Sequence, residues 1–316
     1  MFVAELSLPS FAKINWSLRV LGKRPDGYHE VRTVLQTVSL HDNLHFVREM
    51  RPQVTLVCEH PDVPTDESNL VLRAARLLTD KHNPGLGATI RLEKRIPAKG
   101  GLGGASSNAA MTLLALSELW RLNLNLPELI ELGTELGADV PFFFLGGRAV
   151  GTGIGTQLTP AADYVESKLI IVTPKAGIST AEAYRALNSA ALTTPNSARI
   201  LTSSRTESHF SESDQWPLYN DFEKVIFEME PEIKRVRKAL FAAGAQDVLL
   251  AGSGSSVFGI FESAAAQRHA LEVIQTEAGW RVLPCNTLSR DEYLRAMGSC
   301  GTPLLRSAIK QSDSGA

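Results

Sequence analysis

The chain is poor in cysteine: of its 316 residues only Cys58, Cys285 and Cys300 are cysteines, widely spaced and odd in number. This excludes a disulfide framework and a CxxC metal site, and it fits a reducing, cytoplasmic setting. No run approaches the ~20 apolar residues that a membrane helix needs. The stretch Met1 to Lys13 carries Glu5 and lacks both a basic start and a long apolar segment, so no secretory signal and no membrane association are expected. Charge of one sign is missing too, since 32 Lys and Arg against 34 Asp and Glu leave a net charge of −2. Without a basic field for a polyanion, nucleic acid is not an expected partner. His41, His45, His60, His82, His209 and His269 show no metal-ligand spacing, and no repeat of fixed period occurs.

What is present is the composition of a compact soluble protein, 44% hydrophobic and 21% charged, on a length that suits two domains. From Ile14, the apolar residues Ile14, Trp16, Leu18 and Val20 alternate with Asn15, Ser17 and Arg19, which predicts a half-buried strand. Pro25-Asp26-Gly27 is a turn, and Val31 to Leu40 reads as the partner strand, with Tyr28 and His29 beside the tip. Further strands are expected at Val54–Cys58, Ala88–Leu92, Leu169–Val172 and Trp280–Pro284, with two more between Ala243 and Ala264. Helices are expected at Asn69–Leu78, after the glycine-rich run at 100–107, from Pro127 to Gly137, and at Ala181–Leu187, Asp221–Ala243 and Ala264–Ala278. The order gives an α+β fold, with an N-terminal unit over 1–167, a second, ferredoxin-like unit over 168–300, and a polar tail over 301–316. The Ser- and Thr-rich segment 189–213 reads as a solvated insertion.

The run Pro97-Ala98-Lys99-Gly100-Gly101-Leu102-Gly103-Gly104-Ala105-Ser106-Ser107 precedes an apolar helical pattern. Its glycines let backbone approach a ligand, and a helix start offers unpaired N–H groups and the positive dipole end, so phosphate is a natural guest; a flexible turn capped by serine is the alternative. Neither GxxxxGK[ST] nor a complete GxGxxG occurs. Taken as bare residues, Lys13 flanks a strand, Asp139 starts a helix at Pro141, Asn69 caps a helix and Lys94 ends a strand. Tyr28 and His29 would then be a packing aromatic and a surface imidazole.

Three segments in order, Phe11-Ala12-Lys13-Ile14-Asn15 with Arg24-Pro25-Asp26-Gly27-Tyr28-His29, PAKGGLGGASSNAA, and Leu250-Ala251-Gly252-Ser253-Gly254-Ser255-Ser256, resemble those of the GHMP kinases, the superfamily of galactokinase, homoserine kinase, mevalonate kinase and phosphomevalonate kinase. The resemblance implies an N-terminal domain like domain 2 of ribosomal protein S5 and a ferredoxin-like C-terminal domain. It makes Pro97, Gly100, Gly101, Leu102, Gly103, Gly104, Ala105, Ser106 and Ser107 the ATP phosphate loop, with Asn69 and Lys94 lining the adenine pocket. Lys13 then sits beside the acceptor hydroxyl and Asp139 takes its proton. PDGYHE points to the branch acting on a cytidine diphosphate-linked methylerythritol. There Tyr28 stacks on cytosine, the His29 backbone reads the base edge, Tyr184 is a second aromatic, and Asn15 bonds the diphosphate or caps a strand end. By the same resemblance the 252–256 turn packs on the phosphate loop. ATP implies Mg2+, whose ligands are not readable, and the protein is expected to be a monomer or homodimer. Lys99 and Ala105 stand where the usual loop has glycine; Ala105 resists positive φ, and Lys99 points to solvent or adds charge near the phosphates. Another small-alcohol kinase of the superfamily and a non-catalytic ATP-binding sensor are the alternatives, and the presence of both Lys13 and Asp139 argues against the latter.

Overall fold

The computed structural model describes residues 4–165, 168–191 and 217–300. Residues 192–213 of the Ser-rich segment and the tail over 301–316 lie outside the described residues. Two long antiparallel strands, β1 (Glu5–Lys23) and β2 (His29–Glu49), form the spine. The turn between them closes through the Arg24 N–H donating to Tyr28 O at 2.8 Å and the Gly27 N–H donating to Arg24 O at 3.1 Å. With β3 (Val54–Val57), β4 (Gly87–Glu93) and the two-residue strand β8 (Tyr219–Asn220) they make a sheet that β5 (Arg148–Thr152) and β6 (Gln157–Pro160) extend from β2.

One face of this sheet carries helices α1 (Leu70–His82), α2 (Gly104–Leu119) and α3 (Leu126–Leu136), whose apolar residues meet Phe11, Leu35, Leu44 and Phe46 in the first core. Nearly all of α2 is buried, as a helix with small and apolar residues on every side, Ala109, Ala110, Met111, Leu113, Leu114, Ala115 and Leu116, requires. Asn69 caps α1 by accepting from the Val71 N–H at 2.9 Å, and Asn125 with Glu128 makes a capping box for α3. The short α4 (Phe142–Leu145) follows.

The other face takes a second, wholly antiparallel sheet. It contains β7 (Leu169–Pro174), β9 (Asp247–Leu250), β10 (Val257–Ile260) and β11 (Trp280–Cys285) in the order β11-β7-β10-β9. Helix α5 (Thr180–Ala191) follows β7, and the helix over Ala264–Ile274 follows β10, giving the β-α-β-β-α-β order of a ferredoxin-like unit. Ala12, Ile14 and Trp16 pack against Leu169, Ile171 and Phe258, so the two sheets share a core.

Several expectations change. The single helix over 221–243 is two, Glu223–Met229 and Pro231–Ala242, because Pro231 has no N–H to continue the ladder and forces Glu230 out of helical geometry at φ −128° and ψ 88°. The next helix stops at Ile274, short of Ala278. Strand β1 is buried on both faces over Ser10–Leu18, since the second sheet covers its apolar side and Lys13, Asn15 and Ser17 turn toward the other elements instead of water. A final helix, Arg290–Ala296, sends Tyr293, Leu294 and Met297 into the first core. We propose that the folding units divide near residue 167, with that helix returning to the first.

Candidate active site

A cavity of about 950 Å³ opens between the first sheet, the 97–106 loop and the second unit. Lys13 sits in β1 between register shifts at Phe11/Ala12 and Asn15/Ser17, the kind of irregularity that re-aims side chains. Its N–H donates to Leu102 O at 2.9 Å, which ties the strand to the glycine loop. Its stem lies across Gly103, where an added Cβ would stand 3.0 Å from Lys13 Cγ. Its buried ammonium donates to Asn15 Oδ1 at 2.8 Å and stands 3.4 Å from Asp139 Oδ2. Asp139 lies in the turn between α3 and α4, its side chain 43% exposed. The cap of α4 is Pro141, with no side-chain bond, so Asp139 is not spent on starting that helix.

The loop reaches α2 through Gly101 at φ +74° and Gly103 at φ +70°, both in the left-handed region that favours glycine. A Cβ on Gly101 would lie 2.1 Å from Ala251 O, so the loop rests directly on the 251–256 turn. The Ser256 N–H donates to Gly100 O at 3.1 Å and completes that seam between the two units, as the resemblance implied. Ala105 is helical, so its lack of positive φ matters little, whereas Lys99 takes φ +57°. Ser107 turns inward: its hydroxyl meets that of Ser10 at 2.7 Å, and it does not line the cavity.

Beyond the loop, Asn69 combines its cap with a bond from Nδ2 to Pro64 O at 2.6 Å while lining the cavity. Lys94 is buried instead of ending a strand in solvent, and donates to Asp42 Oδ2 at 2.7 Å and Ile96 O at 2.6 Å. Burial pulls its ammonium below the usual lysine range, and the Asp42 carboxylate opposes that shift. Asp42 in turn accepts the Arg95 and Ile96 N–H groups, both at 2.7 Å. At the far end Tyr28 is 62% exposed, and the His29 and Tyr184 rings stack with centroids 4.6 Å apart at 24°. Tyr184 also meets the edge of Phe222, and burial together with the Asp139 charge pushes its hydroxyl up to about 12.

Residues 69–147 match the GHMP kinases N terminal domain and 206–278 the GHMP kinases C terminal domain. The chain is 40% identical over 293 residues to the 4-diphosphocytidyl-2-C-methyl-D-erythritol kinase of Solibacter usitatus, covering 90% of each. It is 39% identical over 284 residues to that of Citrifermentans bemidjiense, covering 90% of this chain and 99% of the relative. The crystal structure of a 4-(cytidine 5'-diphospho)-2C-methyl-D-erythritol kinase, 35% identical, superposes with a TM-score of 0.70 over 90% of this chain and 99% of the other. The chain belongs to the 4-diphosphocytidyl-2-C-methyl-D-erythritol kinase family. In this kinase one cavity gathers Lys13, Asn15, Tyr28, His29, Asn69, Lys94, Pro97, the loop from Gly100 to Ser106, Asp139 and Tyr184.

The sequence reading missed Asp42, which anchors Lys94, and Thr33, which lines the same cavity. Asp42 is a lone carboxylate in an otherwise strand-like run, a local signal that names no partner. Among the described residues no helix is long and apolar enough to cross a membrane.

Proposed function

We propose that the enzyme transfers the γ-phosphoryl group of ATP to the 2-hydroxyl of 4-diphosphocytidyl-2-C-methyl-D-erythritol, giving the 2-phosphate and ADP. The observation that carries this reading is the Lys13–Asp139 pair, 3.4 Å apart, in a cavity shared by the glycine loop and the Tyr28–His29 turn. Asp139 accepts the hydroxyl proton as that oxygen forms its bond to phosphorus and the bond to the ADP oxygen breaks. Lys13 offsets the charge that spreads over the transferring oxygens. The N–H groups at the start of α2 hold the phosphates, Asn69 and Lys94 bound the adenine, and Tyr28, His29 and Tyr184 hold the cytosine.

Mg2+ is part of the proposal. Among the described residues no three His, Cys, Asp or Glu side chains cluster to hold a metal, a donor set that suits an ion arriving on the triphosphate with most of its waters. Ser106, at the start of α2 and lining the cavity, would hold it, and when bound it would supply charge neutralisation on the phosphates. One chain supplies the whole of the lining named above, which supports action as a monomer or in each half of a homodimer. A cytoplasmic setting is supported by the sparse cysteines.

The test is ADP release coupled to a reporter, run over candidate alcohols with and without the cytidine moiety. Turnover is expected only with the cytidine-linked polyol; equal turnover of homoserine or mevalonate would overturn the substrate assignment.

A further inference from the structure

The ammonium of Lys13 has three N–H donors, and the protein determines where one of them points. It donates to Asn15 Oδ1 at 2.8 Å; Asn15 Nδ2 donates to Thr33 Oγ1 at 2.8 Å; and the Thr33 hydroxyl donates to Ser17 O at 2.8 Å. Both ends of this chain are fixed by chemistry. A backbone carbonyl can only accept, so the Thr33 proton goes to Ser17 O and its oxygen must accept from the Asn15 NH2. An ammonium can only donate, so the other atom of the Asn15 amide must be oxygen, which agrees with the first assignment. Asn15 and Thr33 are 3% and 4% exposed, so little water competes for these groups.

We propose that Thr33, acting through Asn15, is a positioning residue that orients the catalytic Lys13. The relay crosses from β1 to β2 beside the Asn15/Ser17 register shift, which brings Ser17 O and Asn15 Nδ2 to one hydroxyl. The methyl of Thr33 packs toward Gly151 of β5, where an added Cβ would stand 3.0 Å from Thr33 Cγ2. With one donor of Lys13 held by Asn15 and another directed at Asp139, a third is left for the phosphoryl oxygens. The same commitment adds to the part expected of Asn15: its carbonyl faces the lysine and one N–H goes to Thr33, which leaves its second N–H for the diphosphate. Without the Thr33 oxygen the Asn15 NH2 loses its acceptor and the amide is held at its lysine end alone, so the side chain is free to swing and carry Lys13 off line.

The proposal rests on Lys13 acting in phosphoryl transfer, and the experiment separates the two ideas. Steady-state kinetics would be measured for Thr33→Val, Thr33→Ala, Thr33→Ser and Lys13→Met, with melting curves to confirm folding. Valine nearly matches threonine in shape and suits a strand; alanine serves if valine does not fold. Both are expected to lower kcat by roughly 10- to 100-fold, the scale of a displaced catalytic group, with both KM values held within about twofold. Thr33→Ser, which keeps the hydroxyl, is expected to recover most of kcat. A loss of kcat in Lys13→Met with none in Thr33→Val or Thr33→Ala overturns the positioning role alone. So does serine as slow as valine, or a raised substrate KM at unchanged kcat. An unchanged kcat in Lys13→Met overturns the lysine's role, and the positioning inference falls with it.

Discussion

Lys13, Asn15 and Thr33 are buried and joined to one another, whereas Tyr28 stands 62% exposed on a turn that Arg24, Asp26 and Glu30 hold from the solvent side. Arg24 donates to Glu30 Oε2 at 2.8 Å and to Asp26 Oδ2 at 3.0 Å, exposed bonds of the kind that contribute little to stability. One end of the cavity is set before any ligand arrives, and on the proposed function its groups act on the reaction itself. The other keeps an aromatic side chain in water, and on the same proposal a cytosine ring covers it, so its contribution would lie in binding. Damage at the first end should fall on kcat, and damage at the second on substrate KM.

The strongest challenge to that division is Asp139→Asn. It is expected to lower kcat by roughly 10²–10⁴ while ATP binding and the melting temperature barely change, because the side chain is half exposed and caps no helix. Near-normal turnover would remove Asp139 from the chemistry. Tyr28→Ala is expected to raise substrate KM by roughly 5- to 150-fold, the cost of one base–aromatic stack, with kcat and ATP affinity unchanged. A substrate without the cytidine should be indifferent to the change, and equal losses on both substrates would make Tyr28 a packing residue.

Gly101→Ala tests the seam between the units. Its Cβ would lie 2.1 Å from Ala251 O at a φ of +74°, and calorimetry should show ATP affinity reduced by roughly 10- to 100-fold, with a lower melting temperature. Unchanged affinity in a folded variant would detach that loop from the nucleotide. The smallest effect is expected from Tyr184→Phe. Burial and Asp139 push the hydroxyl up to about 12 from an ordinary value of 10.0, so it stays protonated at assay pH, and the ring stacks survive its loss. Kinetic constants should stay within about threefold from pH 6 to 9. The linkage runs the same way: the native state keeps a proton that the unfolded chain releases near 10, so stability from Tyr184 is complete below that pH and is lost as the pH rises toward 12. A rate change tracking tyrosine ionisation below pH 9 would contradict this.

Much of this arrangement was legible in the chain because it is local. Asn69 and Val71 are two residues apart, and the glycine loop and the apolar helix that follows it are contiguous. The break at Pro231 was also local and went unread, although the rule that proline ends the preceding helix would have found it. The terminal helix had a written signal as well, in Ser289 followed by Glu292 as a capping box. What the chain did not show depends on strands meeting: Asp42 finds Lys94 only because β2 and β4 pair, and Thr33 finds Asn15 only across β1 and β2. Periodicity assigned Asn15 and Ser17 to a solvent face because nothing in a strand's own alternation reveals what covers the polar side.

The helix over Arg290–Ala296 places the last described residues inside the first core: Tyr293 is fully buried, its hydroxyl donates to Phe143 O, and its ring lies 5.5 Å from that of Phe11. On a ribosome, the amino-terminal core therefore waits for its final wedge until the whole second unit has been made. At roughly 5–20 residues per second, that interval lasts several seconds or more, with a slot open beside Phe11 and Phe143. Nascent chains arrested before Ser289 should be cut readily by protease in that core and become resistant once Tyr293 has cleared the exit tunnel, which would make completion of the first half wait on the making of the second.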